Sequence, residues 1–235
     1  MDSQDPTETI YTLRLPKPSD QLIDLVRTTA LNRPTALESK KWHDSIQPET
    51  VNNVAGEFFQ AEGKLAKLIV EEFQPLFKIR IIPTIGILRN TSLLHSGSYA
   101  PHTDKVRTLG VNYYIDLGGN NVSTIFYDKH APDDDTIGGN VLSYSQVNVK
   151  TTYTFEVGPW YLLTSRRYHS VENIKTERII LGLSFINVNA ATLIKCLVPT
   201  VGIEPTTPDS SGRCSTTELN KQILQDAFFF FHKRF

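Results

Sequence analysis

Cysteine is scarce. The 235 residues contain two, Cys196 and Cys214, and neither stands in a CxxC or a Cys/His cluster. A disulfide framework and a thiolate zinc site are both disfavoured on that ground, and two late cysteines fit a reducing compartment. Long apolar runs are missing too. The longest block, Phe228 to Phe231, falls far short of the roughly 18–20 residues a membrane-spanning helix needs. The opening stretch MDSQDPTETI has neither the basic nor the apolar region of a secretory signal, so the cytoplasm is the expected location. There is no excess of either charge. Lys plus Arg number 24, Asp plus Glu 25, and the formal net charge is −1. That balance gives no overall footprint for nucleic acid or an anionic membrane, and neither is expected as a partner. The remainder is globular in composition, 40% hydrophobic and 21% charged. A chain of this length suits one domain and buries roughly 70–75% of its unfolded surface without a covalent staple.

Hydrophobic periodicity divides the chain. IYTLRL at 10–15 suits a short strand, and Ser19 suits the N-cap of a helix over 20–30, with Leu22, Ile23 and Val26 at helical spacing. Asn32-Arg33-Pro34 ends it. A second helix is expected over about 49–74, on a stripe that includes Val51, Val54, Phe58, Phe59, Leu65, Leu68, Ile69 and Phe73. Gly56 and Gly63 are the points at which it can split in two. After Pro75 the period changes. KIRIIPTIGILR (78–89) is β-branched, with Pro83 expected at an edge or bulge. SYAPH, TLGVNYYIDL, STIFYD, VLSYSQVNVKTTYTFE, WYLLTS and RIILGLSFINV follow as further strands, punctuated by Gly118-Gly119, Gly138-Gly139 and Gly158-Pro159. Helices first and then many short strands argue for an α+β, mainly β chain with a sandwich or barrel core. The expected domain is 1–198, with helical support over about 19–77 and the β core over about 78–190. Residues 199–220 are rich in Pro, Thr, Ser and Gly, so 199–235 is expected to be a flexible or adventitious tail.

Six histidines are present, at 43, 95, 102, 130, 169 and 232. His102 lies in YAPHTD, two residues before Asp104. On an extended strand residues i and i+2 share a face, so both can reach one metal ion. His169 lies in RRYHSVENIKTER. Two His and one carboxylate form the facial triad of non-haem Fe(II) oxygenases, which leaves coordination positions open. A zinc hydrolase can use the same ligands, so the metal does not follow from the ligands alone. Arg178 stands nine positions after His169 at the head of RIILGLSF. A guanidinium fork suits a carboxylate, and an anchor there can hold the distal carboxylate of a keto acid chelating the metal. Asp133, Asp134 and Asp135 suit a solvated loop, since EF-hand spacing is absent. Arg166 and Arg167 suit either a solubilising rim or an anionic substrate.

The ordered set His102, Asp104, His169 and Arg178 resembles the motif of the Fe(II)/2-oxoglutarate-dependent dioxygenase superfamily, most closely its prolyl 4-hydroxylase-like branch. Arg107-Thr108 with Tyr113-Tyr114-Ile115-Asp116, Gly118-Gly119 with STIFYD, and HSVENI resemble further family segments over roughly 80–190. Asn120-Asn121-Val122-Ser123 departs from the family's Gly-Gly-Glu-Thr pattern. The resemblance implies a double-stranded β-helix, or jelly roll, with His102, Asp104 and His169 as catalytic metal ligands for Fe(II). It implies 2-oxoglutarate held by Arg178, with Tyr99, Tyr113 or Tyr114 donating a hydrogen bond to it. Tyr113 is favoured; Thr164 and Ser184 are secondary polar candidates. O2 is the other co-substrate, and the resemblance leaves room for ascorbate. The implied reaction hydroxylates a C–H bond of a peptidyl or small-molecule substrate and releases succinate and CO2. The other reading is a cupin-like metal-binding barrel without 2-oxoglutarate turnover.

Overall fold

The computed structural model describes residues 10–33, 54–91, 95–104, 109–130, 142–164, 166–186 and 188–197, with backbone alone at His130 and 202–205. The first strand, β1 (Tyr11–Arg14), leads into helix α1 (Asp20–Asn32). Ser19 caps it as expected: its Oγ accepts from the Leu22 N–H at 3.2 Å. The same hydroxyl also bonds the Glu72 carboxylate on the next helix.

The second expected helix is in fact two elements. Residues Val54–Gln60 form strand β2, and helix α2 runs Gly63–Phe73. The apolar stripe was real but its period was mixed. VAGEFFQ is rich in β-formers and pairs along its whole length with β3 (Ile82–Asn90), from Val54 opposite Asn90 to Gln60 opposite Thr84. Gly56 would cost a helix about 1 kcal/mol, and in the ladder its missing Cβ leaves room for Leu88 and Tyr99. In α2 the buried Leu65, Ile69 and Phe73 recur every four residues. Pro83 lies neither at an edge nor in a bulge. It is the second residue of β3, just past the end of β2, where its carbonyl accepts from the Ala61 N–H at 2.9 Å.

Seven strands follow: β4 (Gly97–His102), β5 (Leu109–Leu117), β6 (Ser123–His130), β7 (Val149–Thr154), β8 (Trp160–Thr164), β9 (Arg167–Ile174) and β10 (Glu177–Phe185). Helix α3 (Ala190–Cys196) and strand β11 (Gly202–Pro205) complete the described chain. β9 was not anticipated as a strand. The segment expected as one long strand, 141–156, contains a single 3₁₀ turn at Tyr144–Gln146 before β7, held by reciprocal Ser143 and Gln146 capping bonds. Among the described residues all strand pairings are antiparallel. One sheet runs β11-β1-β8-β5-β10-β3-β2 and the other β4-β9-β6-β7. The eight strands from β3 to β10 therefore divide as β8-β5-β10-β3 against β4-β9-β6-β7, which is jelly-roll connectivity.

The large sheet separates two environments. Its outer face carries Ile85, Ile87, Val111, Tyr113, Trp160, Leu162, Leu181 and Leu183, packed under Leu22, Val26, Ile69 and Phe73 of the helices. Phe73 meets the Trp160 ring edge-on at 4.9 Å, and the indole N–H donates to the Pro16 carbonyl at 2.9 Å. Its inner face meets the small sheet around Tyr114, Phe126, Phe155, Tyr161 and Ile180. Among the described residues no helix is long and apolar enough to cross a membrane.

Phe73→Ala is expected to destabilise the domain by about 3–5 kcal/mol, read from chemical denaturation, because the ring fills the centre of the helix–sheet layer. A chain ending at Val198 lacks β11 and leaves β1 as the sheet edge. It is expected to unfold cooperatively still, since the main core runs from Tyr11 to Leu197. A molten truncated chain would show that 199–235 belongs to the domain.

Candidate metal centre

Register brings the two histidines together. His102 ends β4 and stands directly opposite His169 on β9, which in turn stands opposite Phe126 on β6. The two imidazole centroids lie 4.4 Å apart, and Phe126 stacks on His169 at 5.7 Å. Asp104 follows just past the end of β4. Its Oδ1 lies 3.8 Å from His102 Nε2 and 4.0 Å from His169 Nε2. The ligand-capable atoms of the three all lie within 4.8 Å of one another.

The ring nitrogens on the far side fix which atom faces the centre. His102 Nδ1 donates to the Ala100 carbonyl at 2.8 Å, and His169 Nδ1 donates to the Arg167 carbonyl at 3.0 Å. A carbonyl only accepts, so each neutral ring carries its proton on Nδ1 and presents an Nε2 lone pair to the shared space. This is the outer hydrogen bonding that orients metal-bound imidazoles. The donor set of two imidazole nitrogens and one carboxylate oxygen fits a divalent first-row metal, with open positions beyond the three protein ligands.

Arg178 begins the inward face of β10, opposite Leu88 and Leu117. Its side chain is 2% exposed. One Nη donates to Thr124 Oγ1 at 3.2 Å. Its Nε makes no hydrogen bond, and among the described residues no carboxylate pairs with it. The guanidinium lies over the Tyr114 ring at 4.6 Å and nears the Phe155 ring at 5.7 Å. Cation–π contacts of this kind are worth up to about 2 kcal/mol when desolvated, well short of the several kcal/mol that burying an ion costs. The site therefore has spare capacity for an anion. Gly118 makes room for this arginine. It turns at φ +84°, and a Cβ there would sit 3.1 Å from Arg178 Cβ. Its carbonyl accepts the Lys175 and Thr176 N–H groups, tying the β5–β6 turn to the β9–β10 turn.

The tyrosines expected at the co-substrate fall differently. Tyr99 packs edge-on against the His102 ring at 4.6 Å. Burial, with a smaller contribution from the Asp104 charge, pushes its phenol well above the usual range, so it stays a proton donor. Tyr113 faces away from the site. It lies in the outer layer, 5.1 Å from Trp160, with Leu109, Val111 and Ile115 on the same face of β5. Strand alternation gives the inward place to Tyr114, the candidate set aside in favour of Tyr113. The unbroken apolar set at 109, 111, 113 and 115 was the signal that could have assigned the faces. Thr124 was missed. Ser184 is buried and bonded to Thr84 at 2.9 Å, whereas Thr164 ends β8 opposite Leu109 on the outer register. Arg107, Asp133 to Asp135, His43 and His232 lie outside the described residues.

No protein-family model matches the chain, and no curated protein matches it in sequence. Solved structures show partial likeness. A prolyl hydroxylase from Trichoplax adhaerens, in complex with a hypoxia inducible factor oxygen degradation domain peptide fragment, aligns at TM-score 0.40 and 11% identity, covering 75% of this chain and 83% of that one. A Pseudomonas putida prolyl-4-hydroxylase aligns at TM-score 0.34 and 13% identity, covering 77% and 95%. E. coli ycfD aligns at TM-score 0.36 and 12% identity; 78% of this chain is covered, and the match spans 50% of that protein's length. The jelly-roll assignment rests on the strand order and register described above.

His169→Ala is expected to lower Mn(II) affinity by at least about 100-fold in calorimetric titration, since losing even an outer hydrogen-bond partner of a metal ligand costs 10–100-fold. Far-UV circular dichroism is expected to stay unchanged. Wild-type affinity in that variant would exclude the triad.

Proposed function

We propose that this protein is an Fe(II)- and 2-oxoglutarate-dependent dioxygenase that hydroxylates a C–H bond of a small-molecule or peptidyl substrate. His102, Asp104 and His169 hold the iron. When bound, Fe(II) supplies the redox centre at which O2 and 2-oxoglutarate react, giving succinate and CO2 and delivering oxygen to the substrate.

The observation that carries this reading is the state of Arg178. A buried guanidinium with one hydroxyl partner, a free Nε and aromatic walls is a receptor for an anion. Its place one register step inward of His169 suits the far carboxylate of a short keto diacid whose other end chelates the metal. Thr124 stands beside Arg178 on the same anion. Tyr99, held protonated, is a hydrogen-bond donor on the metal side. Phe126, Tyr114 and Ile180 give the space apolar walls that keep bulk water from the reacting groups. A cupin-like metal barrel that does not use a keto acid has no evident use for an interior arginine without a carboxylate, which is why the oxygenase reading is preferred.

N-oxalylglycine, an unreactive analogue of 2-oxoglutarate, tests it. The Mn(II)-loaded protein is expected to bind it, and Arg178→Met to weaken binding by roughly 10–150-fold, the equivalent of one charged hydrogen bond at about 1.5–3 kcal/mol. Metal affinity is expected to stay as in the wild type. Equal affinity in both proteins would remove Arg178 from the site, and no binding to the wild type would overturn the oxygenase reading.

A further inference from the structure

The end of the sandwich away from Arg178 holds a second buried polar group that neither the metal centre nor the Arg178 site uses. Register orders the inner face of the large sheet along β10. Arg178 stands opposite Leu88 and Leu117, Ile180 opposite Gly86 and Tyr114, and Gly182 opposite Thr84 and Asn112. In the small sheet the row Tyr99–Val171–Thr124 comes before the row His102–His169–Phe126. The Arg178–Thr124 hydrogen bond ties the first rows of the two sheets together. Thr84, Asn112 and Gly182 therefore lie on the side of the metal row opposite Arg178. This is the end from which the β4–β5, β6–β7 and β8–β9 connections leave.

Inner positions of a sandwich are ordinarily apolar. Here Asn112 is 2% exposed, Ser184 3% and Thr84 8%. Thr84 and Ser184 share one hydrogen bond of 2.9 Å between their hydroxyls. One such bond uses one of the two hydroxyl protons, and the other has no acceptor among the described residues. Glycine at 182 is what allows the grouping. A Cβ there would meet Thr84 Oγ1 at 2.5 Å and lie 3.6 Å from Asn112 Oδ1. The Thr84 hydroxyl thus lies over Gly182 with the Asn112 amide oxygen on the same side, where glycine places no side chain between them. The cluster itself bears no charge, so it suits a neutral acceptor oxygen better than a phosphate or a carboxylate.

We infer that Asn112, Thr84 and Ser184 form the subsite for the primary substrate and take a neutral carbonyl oxygen close to the C–H bond that is oxidised. The inference rests on the oxygenase reading, in which Arg178 and the metal occupy the co-substrate from the other side. The spare hydroxyl proton donates to the carbonyl, and the Asn112 amide serves whichever donor or acceptor adjoins it.

The test uses protein loaded with Mn(II) and N-oxalylglycine, and proton line broadening of added probes by the metal. The probes are the L-amino acids as N-acetyl methylamides, the same amino acids free, and n-alkyl alcohols lacking a carbonyl. At least one methylamide is expected to broaden. The double variant Thr84→Val/Ser184→Ala removes both hydroxyls at nearly constant shape and leaves neither partner orphaned, so it is expected to fold. It is expected to lose at least tenfold in probe affinity while N-oxalylglycine affinity holds, and Asn112→Leu is expected to behave alike. Broadening confined to free amino acids or to alcohols, broadening of no probe, or broadening unchanged in the double variant would overturn the subsite. Failure of the wild type to bind N-oxalylglycine would instead sink the oxygenase reading beneath it.

Discussion

The cost of burying a positive charge governs the interior of this barrel. A guanidinium taken from water must recover several kcal/mol from its surroundings. Arg178 recovers part of it from the Tyr114 face and from Thr124, and its Nε remains unused. Much of the neighbouring chain follows from seating it. Gly118 turns through positive φ where a Cβ would press on the arginine. The Lys175 and Thr176 amides close on the Gly118 carbonyl and fix the start of β10. Phe155 stacks on Tyr114 at 4.7 Å and walls the cation from the β7–β8 side. A fold under pressure only to be stable would place leucine at 178.

The metal centre depends on a different device, antiparallel register. His102 and His169 lie far apart in sequence, and a direct cross-strand pairing sets their rings 4.4 Å apart. Backbone carbonyls two residues before each histidine take the Nδ1 protons, so the strands that bring the rings together also aim them. Asp104 needs only to follow β4 by two residues. Helices α1 and α2 take no part in the site. They cover the outer face of the large sheet and leave its inner face to the small sheet and the metal centre.

The β-rich jelly-roll core was legible in the sequence, and so was the grouping of His102, Asp104 and His169; the individual elements around them were less so. His-x-Asp follows from the two-residue period of a strand, and an arginine heading a β-branched run stands out wherever it points. The ambiguous elements were those whose polar residues mask the period. RYHSVENI is a strand whose inward His169 and outward Ser170 and Glu172 are all polar, so no apolar alternation marks it. VAGEFFQ carries apolar residues that also fit a helix, and only its ladder with β3 decides. The Tyr113 and Tyr114 faces turn on parity alone, and a bulge at Ile179/Ile180 interrupts the register beside them. Thr84, Thr124 and Asn112 look like any polar residue in a strand, and their meaning comes from what lies across the barrel.

The central claim is that a keto acid chelates a metal held by His102, Asp104 and His169. The most direct measurement is the visible spectrum of the purified protein under anaerobic conditions, with Fe(II) added first and 2-oxoglutarate second. The account expects a weak metal-to-ligand charge-transfer band to grow in with 2-oxoglutarate and to be absent from His102→Ala. Stoichiometric iron binding with no such band would contradict it and favour a metal-binding barrel of another chemistry.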